Sequence, residues 1–123
     1  MPDINFVLLY VDNTPASAKF YTEALGKPPV ENSETFAMFA MSSGLMLGLW
    51  SKHTCKPAPA AEPGASEIAF TVATPEAVRA THADWLKRGY PIEQAPVELD
   101  FGTTFVALDP DGHRLRVFAP VGR

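Results

Sequence analysis

Cysteine is almost missing: Cys55 stands alone in the chain, which excludes an internal disulfide framework and a metal cluster built on thiolates. Its place in a Pro-rich connecting stretch predicts an incidental thiol. Basic charge is thin as well. Lys and Arg number 10 against 14 Asp and Glu, a net charge of -4, and the scattered cations form no footprint for nucleic acid or an anionic membrane. Long apolar runs are absent, none approaching the ~20 residues that span a bilayer. The start, Met1-Pro2-Asp3-Ile4-Asn5, has neither the basic opening nor the apolar core of a signal peptide. These absences predict a cytoplasmic protein with no nucleic-acid and no membrane partner. What is present is 46% hydrophobic content, which excludes disorder. A chain of 123 residues buries roughly two-thirds of its unfolded surface without help from metal or disulfide.

The most informative stretch runs from Phe105 to Phe118. Two apolar runs flank Asp109-Pro110-Asp111-Gly112, where Pro sets φ, Asp bonds its own backbone and Gly accepts a positive φ. The pattern is strand, turn, strand. On a period of two, Arg114, Arg116 and Phe118 share one side of the last strand. A charge in such an apolar strand sits at a rim or looks into a cavity.

Taken in order, Ile4 to Val11 reads as a strand, and Asp12-Asn13-Thr14-Pro15 offers a cap and an early helical Pro. Ser17, Phe20, Tyr21, Ala24 and Leu25 form a helical stripe that Gly26 and Pro28-Pro29 end. Phe36 to Met41 and Leu45 to Trp50 pair as a hairpin through Ser42-Ser43-Gly44, with a short strand near Val30. From Ser51 to Ala65 the composition turns to Lys, Pro, Ala and Gly, which reads as a linker. Glu67 to Ala73 is then a strand, Thr74-Pro75-Glu76 repeats the capping device, and Val78, His82, Trp85 and Leu86 form a second stripe that Gly89 stops. Ile92 to Val97, with Pro96, is edge-like. Thr103 to Leu108 and Leu115 to Phe118 complete the set.

The two halves repeat: a strand, a Thr-Pro helix start and a hairpin occur in each. The expected fold is α+β, two tandem βαβββ modules at 1–52 and 66–123 joined by a linker at 53–65. They form a curved mixed sheet with the helices on its outer face. A helix on one face only leaves the other to be covered by a module, a second chain or a ligand.

At these residues the chain resembles the vicinal oxygen chelate superfamily, which includes glyoxalases, bleomycin-resistance proteins and dioxygenases. The resemblance is carried by Ile4-Asn5-Phe6-Val7-Leu8-Leu9-Tyr10-Val11, Ala18-Lys19-Phe20-Tyr21, Ala24-Leu25-Gly26, Glu67-Ile68-Ala69-Phe70-Thr71-Val72 and Asp109-Pro110-Asp111-Gly112-His113-Arg114-Leu115-Arg116. It implies a homodimer with paired modules, and a divalent metal at four places that fall here on Phe6, Gly48, Glu67 and Arg116. Of these only Glu67 offers a donor, and a guanidinium repels a cation. The expectation is a site with no metal, no cofactor and no catalytic residue. Within the superfamily the chain is most similar to binding proteins that confer resistance to phenazine antibiotics. Trp50-Ser51, Ser66-Glu67-Ile68 and Phe101-Gly102-Thr103-Thr104-Phe105 carry that likeness.

The candidate ligand-binding residues follow. Phe6, Leu8 and Tyr10 come from the first strand, and Phe39, Met46, Gly48 and Trp50 from the hairpin. Glu67, Phe101 and Arg116 come from the second module. Aromatic planes stack on a flat guest, Gly48 lets a ring approach the sheet, and Arg116 can fork onto a carboxylate. The implied partner is a small aromatic ligand that is sequestered unchanged. The alternative is a glyoxalase- or dioxygenase-like lyase or oxygenase acting on a small aromatic or dicarbonyl compound, or a metal-free catalyst with Glu67 as base.

Each residue also has a plainer reading. Trp50 can be ordinary packing, Arg116 can bridge to Glu67, and Phe101 can anchor its loop or act as a lid. Met38, Met41 and Met46 read as core filler, and His82 as a packed core histidine. His53 and His113 show no second His or carboxylate at ligand spacing.

Overall fold

The computed structural model describes residues 2–121. Its elements are β1 (Phe6–Val11), α1 (Thr14–Leu25), β2 (Glu31–Asn32), β3 (Phe36–Ala40), β4 (Met46–Ser51), β5 (Glu67–Thr71), α2 (Pro75–Lys87), β6 (Ile92–Leu99), β7 (Gly102–Leu108) and β8 (Arg114–Pro120). Contacts divide the chain into two units, Met1–Glu62 and Pro63–Arg123. Each is a βαβββ module with its own mixed four-stranded sheet, in the order β1-β4-β3-β2 and β5-β8-β7-β6. In each, the first strand runs parallel to the last and the other pairs are antiparallel.

The helices begin where local chemistry dictates. The Asn13 side chain accepts from the Ala16 N–H at 3.0 Å, and the Thr74 hydroxyl accepts from the Ala77 N–H at 3.1 Å, each satisfying one orphan donor of a first turn. Gly26, at φ 71, ends α1 with its N–H on the Thr22 carbonyl, a left-handed position that Gly fills at least cost.

In the first unit α1 lays Ser17, Ala18 and Tyr21 on the sheet, where Tyr21 meets Phe39 at 6.5 Å between ring centres. Fully buried Phe39 and Leu49 each contribute about 1.5–3 kcal/mol through removal from water. In the second unit Trp85 packs between Phe70, Tyr90 and Phe105 at 5.6–5.8 Å, and the His82 ring meets Phe105 edge-on at 5.3 Å. Leu86 departs from the expected stripe: it is 55% exposed, because the apolar strip of α2 is only as wide as Val78, His82 and Trp85.

Two local features differ from the sequence reading. Cys55 is buried, since the chain after β4 turns back on itself with the Cys55 N–H on the Ser51 carbonyl at 3.0 Å. Strand β6 extends to Leu99 and shifts register against β7 between Ile92 and Gln94 and again between Gln94 and Val97. Pro96 falls in the second irregularity, where its missing donor costs no ladder bond.

The Asp109 to Gly112 turn is built by one buried side chain. Asp109 Oδ1 accepts from the Asp111 and His113 N–H groups, both at 2.9 Å, and Gly112 takes φ 94. This turn sets the register of β7 on β8, so that Arg116 pairs with Val106 on one side and Ala69 on the other.

Candidate functional site

The sheet of the first unit has one face on α1 and one face open. Strand pairing aligns three rows of side chains on the open face. They are Phe6, Met46 and Ala40; then Leu8, Gly48, Met38 and Glu31; then Tyr10, Trp50 and Phe36. Phe6, Leu8 and Tyr10 are 41%, 40% and 36% exposed. Large apolar side chains left open side by side mark a surface that binds something.

Trp50 is the centre of the aromatic row. Its ring lies 6.4 Å from Tyr10 at a tilt and 6.5 Å from Phe36 edge-on. Together with Phe6, Leu8, Glu31, Ser33 and Thr35, Trp50 and Phe36 line an open depression of about 510 Å³, a volume within the range of small-molecule sites.

Gly48 acts differently from the sequence reading. A Cβ there would lie 2.6 Å from Leu8 Cδ2, 2.9 Å from Phe6 Cε1 and 3.3 Å from Phe36 Cε1. The space over Gly48 is therefore filled by the protein's own side chains, which approach this closely because no Cβ stands there. The glycine shapes the floor through its neighbours, not by direct approach of a ring.

Phe39 is off this face. Its neighbour Met38 pairs with Gly48 on the open side, so the two-residue alternation turns Phe39 inward with Leu47, where it is fully buried. Phe36, Glu31, Ser33 and Thr35 were not anticipated. Strand β3 is apolar at every position, so hydrophobicity alone does not choose its open side. The hairpin register through Ser42-Ser43-Gly44, carried back six residues, could have found Phe36.

In the second unit Glu67, Arg116 and Phe101 fall into one network. Arg116 Nε donates to Glu67 Oε2 at 2.5 Å, its Nη2 to Oε1 at 3.4 Å, and its Nη1 to the Thr104 hydroxyl at 3.1 Å. The Thr104 hydroxyl in turn donates to the Val117 carbonyl at 2.9 Å. Arg114 Nη2 reaches the same Glu67 carboxylate at 3.3 Å. The Arg116 guanidinium also lies 5.7 Å from the centre of the Phe101 ring, which packs edge-on against Phe118. The Arg116 side chain is only 15% exposed. The bidentate edge that would take a ligand carboxylate is thus already occupied by Glu67 from the neighbouring strand, and both Glu67 oxygens already accept from guanidinium donors.

The four places of the expected metal do not suit a cation. Phe6 and Gly48 contribute no donor atom, and Glu67 is neutralised by Arg114 and Arg116, so an incoming ion would have to displace two positive charges to reach one carboxylate. The histidines do have carboxylate neighbours, contrary to the sequence reading. His53 Nε2 is 2.8 Å from Asp12 Oδ1, and Asp109, Asp111 and His113 bring one ligand atom each within 4.8 Å of the others. In the second group the Asp109 carboxylate is the acceptor that holds the turn. Among the described residues no helix is long and apolar enough to cross a membrane.

Two modules with the same strand order, each opening an aromatic or charged sheet face, define a tandem βαβββ protein of α+β class. The model of the Glyoxalase/Bleomycin resistance protein/Dioxygenase superfamily matches residues 3–117, and the chain belongs to that superfamily. It is 33% identical to the phenazine antibiotic resistance protein EhpR of Enterobacter agglomerans over 92% of this chain and 88% of that one. The solution structure of protein ATC0852 from Agrobacterium tumefaciens is 47% identical, with a TM-score of 0.91 over 99% of this chain and 100% of that one. A glyoxalase-related enzyme from Fulvimarina pelagi shares the fold at 21% identity, with a TM-score of 0.85 over 99% of this chain and 94% of that one.

Proposed function

We propose that this protein is a metal-independent binding protein that sequesters a small planar aromatic compound and acts as a homodimer in the cytoplasm. The observation that carries the reading is the open row of Tyr10, Trp50 and Phe36 beside an open depression of about 510 Å³. Flat fused rings gain about 0.5–1.5 kcal/mol per aromatic contact beyond the area they bury, and phenazine, in the name of the Enterobacter agglomerans relative, is such a ring system. The donor-poor metal places support binding without a metal. The commitment of both Glu67 oxygens to Arg114 and Arg116 argues against Glu67 as a general base.

The test is a titration of Trp fluorescence with phenazine, followed by recovery of the guest and mass spectrometry. Saturable quenching and an unaltered guest support sequestration; a converted product makes the protein an enzyme. Dialysis against zinc, nickel, manganese and iron, then metal analysis, leaves less than stoichiometric metal on the protein if the reading is right. Light scattering of the full chain reports the dimer.

A further inference from the structure

The open face of the first unit carries a single charged residue in its three rows, and that charge is negative. Glu31 stands at the end of the row Leu8, Gly48, Met38, on the edge strand of the sheet, and lines the depression with Phe6, Phe36 and Trp50. We infer that this depression selects planar aromatic guests bearing an amine or another cationic group, with Glu31 as the residue that sets the charge preference. The inference rests on the proposed function and names the class of guest for the same depression.

Two independent terms have the same sign there. The wall is aromatic, with Trp50, Phe6 and Phe36 lining the depression, and a cation seated over a ring face is attracted by the ring quadrupole. The Glu31 carboxylate adds a full charge at the rim. Among the described residues it makes no ion pair, so it is available to a guest. No Lys or Arg lines the depression to offset it. The basic residues of the unit are engaged elsewhere where their contacts are resolved: Lys27 donates to the Ala40 carbonyl at 3.0 Å, and Lys52 lies 3.9 Å from Asp12. The hydroxyl of Ser33 is already the acceptor for the Thr35 and Phe36 N–H groups, which leaves Glu31 as the strongest acceptor on the wall. A carboxylate-bearing guest meets repulsion from Glu31, although the residue the sequence reading assigned to such a guest is Arg116.

Calorimetric titration of the full chain with three flat probes separates the possibilities: proflavine, a cation; unsubstituted phenazine; and phenazine carboxylate, an anion. The expected order of affinity is proflavine, then phenazine, then the carboxylate, with the cation favoured over the neutral ring by about three- to tenfold at low salt. Glu31→Gln should weaken proflavine by about two- to fivefold and leave phenazine unchanged within error. The preference should shrink as salt is raised, because the carboxylate is exposed. Tightest binding of the carboxylate, or an equal loss for all three probes in Glu31→Gln, overturns the charge preference while leaving sequestration standing. Failure of all three probes to bind removes the proposed function itself and the inference with it.

Discussion

Replacing Gly48 by Ala should leave the protein folded and alter what it binds. The added Cβ would sit 2.6 Å from Leu8 Cδ2 and 2.9 Å from Phe6 Cε1, too close to stay, yet both neighbours are the far ends of side chains that are about 40% exposed. They can swing outward. Each displaced rotamer costs about 0.5–1.5 kcal/mol, and loss of a strand glycine returns about 0.5–1 kcal/mol by restricting the unfolded chain. The net loss of stability is therefore about 0–2.5 kcal/mol, read as a small shift of the urea midpoint at constant slope. The floor of the depression rises at the same time, and loss of one stacked contact worth about 0.5–1.5 kcal/mol lowers affinity for a flat guest by roughly two- to tenfold. Gly102→Ala is the matched contrast. Its Cβ would lie 2.0 Å from the Ala119 carbonyl oxygen, at φ 149, where the obstacle is backbone that cannot move aside. That variant should lose several kcal/mol and unfold early. If Gly48→Ala unfolded as readily as Gly102→Ala, or kept its ligand affinity, the account of Gly48 as a shaper of the depression would be wrong.

Three further outcomes are expected. Trp50→Ala should weaken phenazine binding by roughly two- to tenfold through loss of stacking, and unchanged affinity in the fluorescence-independent calorimetric assay would place the guest elsewhere. Arg116→Ala strands Glu67 with Arg114 alone and removes a donor from Thr104; it should cost about 1–3 kcal/mol in urea unfolding. Arg116→Lys, lacking the planar fork, should recover only part of that loss. Asp109→Ala deletes the acceptor of two 2.9 Å bonds in a buried turn and should lower stability by about 2–3 kcal/mol, seen as an earlier thermal midpoint; no change would mean the turn is held by Gly112 and backbone bonds alone.

Much of the fold was legible because its signals are local. Asn13 and Thr74 cap helices within three residues, Gly26 ends one within a turn, and Asp109 closes a hairpin by bonding the two following N–H groups it can reach. The doubled Thr-Pro device exposed the two modules for the same reason. Side-chain parity was also readable on β8, where Arg114 and Arg116 alternate with apolar residues; on β1, apolar at every position, a period of two groups Phe6, Leu8 and Tyr10 without choosing their side.

The sequence by itself determined which segments become strands and helices and that the module occurs twice. Only the tertiary structure decided which way the uniformly apolar strand β3 faces, and so sent Phe39 inward and Phe36 outward. It also decided that Arg116 spends its fork on Glu67, and that Glu31 joins the aromatic wall. The physical reason is reach. Caps and turns act between residues a few positions apart, whereas Arg116 and Glu67 are 49 positions apart and meet because β5 and β8 pair in parallel; such a partner is chosen by register across the sheet, which no short window of residues contains.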